Sequence, residues 1–90
     1  MVDLKKEKVI EGFVAFTADG KMLRNYFVGG SQIGTNKQTL TEDVELASVE
    51  RDMKMLDIYI KWYNENHKQQ KDFTIKKVIF RQTAEITVVV

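Results

Sequence analysis

Apolar and polar positions alternate with two different periods along this 90-residue chain, and the change of period marks its elements. From Val9 to Thr17, and again from Met22 to Val28, β-branched and aromatic residues dominate, as strands favour. Between these runs lies Ala18-Asp19-Gly20-Lys21. Asp-Gly suits a two-residue type I′ turn, whose central residues both need positive φ. With Asp19 and Gly20 as the loop, Ala18 pairs with Lys21, Phe16 with Leu23, Val14 with Asn25 and Gly12 with Phe27. One face of the hairpin then carries Ile10, Val14, Phe16, Leu23 and Phe27 and reads as core. The other carries Phe13, Ala15, Thr17, Met22, Arg24, Tyr26 and Val28, with Phe13 across from Tyr26, and is only half polar.

Gly29 to Gln38 has three glycines and little apolar content, and reads as a loop. A helical period follows. Thr39 with Glu42 makes a capping box, and Ser48 offers a later start. A helix from Leu40 to Lys68 would run about 43 Å. That exceeds the diameter of about 30 Å expected for a compact domain of this size, so the start is placed between Thr41 and Ser48. Leu46, Val49, Met53, Leu56, Ile60 and Tyr63 fall within an arc of about 100° and form the stripe that faces the sheet. The final segment is β-rich from Phe73 to Phe80 and again from Glu85 to Val90, with a bend expected near Gln82-Thr83-Ala84. The expected architecture is a single α+β domain over 1–90, with residues 1–8 as a mobile or edge arm. It is ββαβ or ββαββ, an antiparallel sheet with one long helix packed on one face.

The helix carries more apolar residues than one stripe holds. Met55, Ile58, Tyr59 and Trp62 lie outside the stripe, while Glu50, Lys54, Asp57, Lys61 and Glu65 keep to the remaining sector. Two outcomes are open for the surplus. The chain's own loop, N-terminal arm or C-terminal strand covers it, or Met55, Ile58, Tyr59 and Trp62 form a docking patch for a protein partner or a second copy. Trp and Tyr concentrate at binding hot spots because they offer large rigid area at low entropic cost.

Composition narrows the function classes. With fourteen Lys and Arg against thirteen Asp and Glu, the net charge is +1. The chain as a whole lacks the basic excess of indiscriminate nucleic-acid binding. A local strip of Arg24, Lys76, Lys77 and Arg81 beside Tyr26 is the alternative candidate surface, for single-stranded nucleic acid. Lys76 and Lys77 point to opposite sides of a strand, and lysines that discourage edge pairing are the competing explanation. The chain has no cysteine, which excludes disulfides and thiolate zinc sites. The opening residues are too charged for a secretory signal and no run spans a membrane, so a cytoplasmic location is expected. Gly29-Gly30-Ser31-Gln32-Ile33-Gly34-Thr35 lacks the Lys of a P-loop, since Thr35 stands in its place. His67 is the only histidine and suits a helix C-terminus. Glu42, Asp43 and Glu45 suit a helix start. No catalytic set, metal site or cofactor is expected.

The hairpin Gly12-Phe13-Val14-Ala15-Phe16-Thr17-Ala18-Asp19-Gly20-Lys21-Met22-Leu23, the Leu40-Thr41-Glu42-Asp43 lead and the basic-apolar final strand resemble small accessory proteins of phages and prophages of Gram-positive bacteria. The resemblance implies a protein that modulates or inhibits host or phage machinery by binding, in the host cytoplasm, and it assigns no site residue. The expectation is therefore a non-enzymatic protein-binding module, homodimerising or engaging another protein, with nucleic-acid binding as the alternative.

Overall fold

A computed structural model describes residues 2–30 and 33–89. Strand β1 runs Val2–Thr17 and strand β2 runs Met22–Gly29. They are joined by a three-residue loop, Ala18-Asp19-Gly20, instead of the expected Asp-Gly pair. Gly20 has φ 85°, whereas no non-glycine residue among the described ones has positive φ, so the type I′ turn does not form. Thr17 closes the loop instead. Its hydroxyl donates to the Asp19 carboxylate and accepts from the Lys21 amide at 3.1 Å, and its carbonyl accepts from the Gly20 amide at 3.0 Å. The extra loop residue moves the register by one, so Phe16 faces Met22. A one-residue slip exchanges faces. Leu23 therefore joins Ala15 on one face and Met22 joins Phe16 on the other, which corrects the expected face assignment.

The expected loop contains a third strand, β3, Gly34–Thr41. It pairs antiparallel with β2 from Gly29–Gly34 to Met22–Thr41. Ser31 and Gln32 of the glycine-rich segment lie outside the described residues. The C-terminal segment is one unbroken strand, β4, Phe73–Val88, without a bend at 82–84. It pairs residue for residue with β1, from Thr17–Phe73 to Val2–Val88, so residues 2–8 form the outer half of β1. The result is an α+β fold with an antiparallel sheet of order β3-β2-β1-β4.

Strands β1 and β2 meet at Phe16–Met22 and then diverge. The segment Ser48–Glu50 fills the fork. On the β1 side, Glu50 exchanges both backbone hydrogen bonds with Phe13, at 2.7 and 3.0 Å. On the β2 side, the Ser48 amide donates to the Leu23 carbonyl at 3.1 Å. The Ser48 hydroxyl accepts from the Asn25 amide at 2.7 Å and donates to the Asn25 carbonyl at 3.2 Å. Val49 turns toward the side of Gly12, whereas the Glu50 carboxylate meets Tyr59 on the helix side. The chain thus passes through the sheet between two strands that would otherwise leave unpaired edges.

The helix α1 is Met53–Asn66, shorter than expected. Its cap is Asp52, whose carboxylate accepts from the Lys54 amide at 2.9 Å. The expected starts at Thr41 to Ser48 fail because those residues are otherwise engaged. Thr39, Leu40 and Thr41 belong to β3, and Ser48 sits in the fork. Asp43 organises a turn by accepting from the Glu45 amide at 2.9 Å, and does not cap a helix. Leu46 and Val49 are consequently outside the helix, and Met53 is exposed at its first turn.

Core residues lie on both faces of the sheet. Val14 and its neighbour Ala15 point to opposite faces, yet they are 2% and 0% exposed. On the helix side Ala15, Leu23, Leu56, Tyr59 and Tyr63 cluster, flanked by Phe13, Leu40, Phe73 and Ile75. The other side is capped by the connection, where Val44 and Val49 border an apolar hollow of about 310 Å³ with Val14, Phe16, Met22 and Phe80. An ideal Cβ at Gly12 would lie 2.8 Å from the Glu50 carbonyl oxygen and 2.8 Å from Val49 Cγ1. Gly12→Ala should therefore force the fork open and cost about 1–3 kcal/mol. Gly30 has open space around it, so Gly30→Ala should stay within about 0.5 kcal/mol of wild type. Urea denaturation of the two variants checks this, and an equal effect would count against close packing at Gly12.

Candidate protein-binding surface

The helix stripe proposed for docking is divided by the fold. Leu56, Tyr59 and Tyr63 recur at helical spacing and form the face buried on the sheet. Tyr59, expected on the free flank, is only 7% exposed. Its hydroxyl donates to the Glu50 carboxylate at 2.9 Å, which ties the helix to the segment in the fork. Burial pushes the Tyr59 phenol above its ordinary range, and the Glu50 carboxylate that accepts its hydrogen bond pushes further in the same direction. Trp62 is half-buried, packed against the core cluster, with its ring centroid 6.0 Å from that of Tyr59. With Gly34, Thr35 and Asn36 of β3, the strand that was expected to be a loop, it borders an open hollow of about 320 Å³. Met55 and Ile58 remain exposed, at 38% and 39%. The four residues therefore do not form one free patch, because the chain itself takes up the two aromatics.

The basic strip is likewise dispersed. Arg24 stacks over the Tyr26 ring at 4.6 Å on β2. Lys76 reaches over Phe16 at 5.5 Å. Lys77 sits opposite Phe13, on the other face from Lys76. Arg81 pairs with Glu7 at 3.6 Å. β1 and the fork separate the β2 pair from β4. His67 is also engaged, for its Nδ1 donates to the Tyr63 carbonyl at 2.8 Å and its ring stacks on Tyr63 at 3.9 Å. Among the described residues no group of three or more His, Cys, Asp or Glu could hold a metal ion.

A different surface stands free. Beyond the fork, β1 and β4 continue as a two-stranded ribbon, and eight pairs from Val9–Arg81 to Val2–Val88 extend it by about 27 Å. Residues 6–9 and 81–89 are all exposed. Paired residues share a face, so one side of β4 shows Arg81, Thr83, Glu85 and Thr87. The opposite side shows Gln82, Ala84, Ile86 and Val88, with Ile86 62% and Val88 43% exposed. Among the described residues no strand pairs with the outer edge of β4. That edge is sixteen residues long and carries no bulge or proline. Natural edges are usually short, charged or bent to prevent recruitment of another strand. The alternation of Ile86 and Val88 with polar neighbours was visible in the sequence. Its pairing with residues 2–8, which makes the ribbon, was not.

No protein family, curated protein or solved structure matches this chain. No helix among the described residues is long and apolar enough to cross a membrane.

Tyr59→Phe deletes the hydrogen bond to Glu50 while keeping the ring, and should cost about 1.5 kcal/mol in urea denaturation at neutral pH. The pH dependence has a definite sign. A folded phenol that holds its proton above the unfolded value of about 10 supports folding fully below that pH, and loses this support as pH climbs through its raised folded value. Wild type should lose stability more steeply than Tyr59→Phe at alkaline pH. Parallel profiles would show that Tyr59 carries no such linkage.

Proposed function

We propose that the protein is a small non-enzymatic protein-binding module, and that the ribbon of β1 and β4 is the surface it offers. The supporting observation is excess surface. A compact monomer of 10.5 kDa exposes about 5,400 Å², whereas this chain exposes 7044 Å². The excess of about 1,600 Å² is larger than the roughly 800 Å² that each partner contributes to a standard interface. Shape agrees with area. The radius of gyration is 16.6 Å, against about 12 Å for a compact chain of this length. An isolated two-stranded ribbon is marginal in water, so docking would stabilise what the chain alone leaves uncovered. The open β4 edge suits strand addition, in which backbone hydrogen bonds give affinity and alternate side chains give selectivity. Modulation or inhibition of a host protein, as the resemblance to phage accessory proteins implies, is one use of such a module.

The nucleic-acid alternative has one supporting observation, the Arg24–Tyr26 stack, because the other basic residues do not converge on it. A photo-reactive residue at Gln82, on the ribbon, should give adducts with a polypeptide in extracts of the source cell. The same residue at Lys61, on the exposed back of the helix, should give none. Adducts with nucleic acid, or equal protein adducts at both positions, would count against the ribbon.

A further inference from the structure

The outer edge of β4 is complementary to itself in one register, and we propose that its occupant is a second copy of this chain. The inference rests on the ribbon's being a protein-binding surface. Two β4 strands running antiparallel about a two-fold axis at Thr83 would place Thr83 against Thr83 of the other copy. Arg81 would then face the other copy's Glu85, Gln82 its Ala84, Phe80 its Ile86 and Val78 its Val88. Thr83–Thr83 lies on the axis, and every other pairing occurs twice by symmetry, as an isologous contact requires. Thr–Thr, opposite-charge and apolar cross-strand pairs are each favourable, and like charges opposite one another are not.

Neighbouring symmetric registers are poorer. With the axis at Gln82, Ile79 would meet Glu85 and Lys76 would meet Val88. With the axis at Ala84, Ile86 would meet Gln82 and Arg81 would meet Thr87. The favoured register also sets Lys76 and Lys77, the charges that guard the inner part of the edge, at the margin of the overlap. Arg81 and Glu85 sit on one face and Phe80, Ile86 and Val88 on the other, so charge pairing and apolar pairing do not compete for the same positions. The product is a continuous eight-stranded sheet with both helices on one face, and it covers the outer part of the longest open edge of the fold, from Val78 to Val88. A net charge of +1 per copy opposes association only weakly.

The absence of cysteine makes the register directly testable. Residues directly opposite in an antiparallel pair have Cα atoms about 4.5–5.5 Å apart, within the disulfide range of about 4.4–6.8 Å. Thr83→Cys should therefore form a disulfide-linked dimer rapidly under mild oxidation. Thr87→Cys should not, because eight residues of stagger would hold the two thiols about 27 Å apart. Mixing Ile79→Cys with Thr87→Cys should restore cross-linking between the two variants. In sedimentation, wild type should be a dimer across the micromolar range, and Ile86→Glu should weaken association at least about tenfold by opposing a charge to Phe80.

Equal cross-linking of Thr83→Cys and Thr87→Cys would overturn the register. A wild-type monomer at all concentrations, with no Thr83→Cys dimer, would overturn self-pairing. In that case adducts from Gln82 to a different polypeptide would leave the binding-module reading standing, and no protein adducts at all would remove both.

Discussion

Backbone hydrogen bonding at the fork between β1 and β2 is the constraint on which the rest of the structure depends. Two strands that part after a single register pair would leave carbonyl and amide groups stranded on both inner edges. Ser48 and Glu50 satisfy them, Ser48 toward Leu23 and Asn25 and Glu50 toward Phe13. One short segment serves both edges, with Ser48 turned to β2 and Glu50 turned to β1. Gly12 makes this approach sterically available.

The arrangement on each face follows from that insertion. Since the chain crosses the sheet at Ser48–Glu50, its approach from β3 covers the face of Val14, Phe16 and Met22, and its exit delivers α1 to the face of Ala15 and Leu23. A short helix then suffices. Tyr59 fastens it to Glu50, and the Asn64 side chain fastens its far end to the Lys71 backbone through bonds of 2.9 and 3.2 Å. Buried polar groups on this side are paired as well. Gln38, 4% exposed, donates to the Asn25 side chain at 2.9 Å.

Neither the helix nor the connection reaches the outer half of the β1–β4 pair. With one helix of fourteen residues, about 21 Å long, covering a sheet whose longest dimension contributes to an overall extent of 56 Å, a length of ribbon remains unsupported on both faces. The contrast with the helix stripe is instructive. Aromatic residues on a helix flank suggested a free patch, but Trp62 packs against the core cluster and Tyr59 is held by Glu50 in the fork. On the ribbon, by contrast, the aliphatic Ile86 and Val88 are left to solvent.

Local sequence determined much of the fold class. Alternating β-branched residues gave strands at Val9–Thr17, Met22–Val28 and Phe73–Phe80, and helical spacing of Leu56, Tyr59 and Tyr63 gave a helix, because these periods follow from backbone geometry within a few residues. The sequence also permitted His67 to be placed at the helix end and excluded cysteine chemistry. Tertiary structure decided the remainder. Gly34–Thr41 is polar and became a strand because β2 offered it an edge, and the helix began at Asp52 because Ser48 was claimed by Asn25. The hairpin register turned on the three-residue loop that Thr17 closes, which exchanged the faces of β2 relative to β1. The ribbon arose from pairing residues 2–9 with 81–88, opposite ends of the chain. Such choices depend on which distant backbone groups compete for the same hydrogen-bond partners, and no local pattern of side chains encodes that competition.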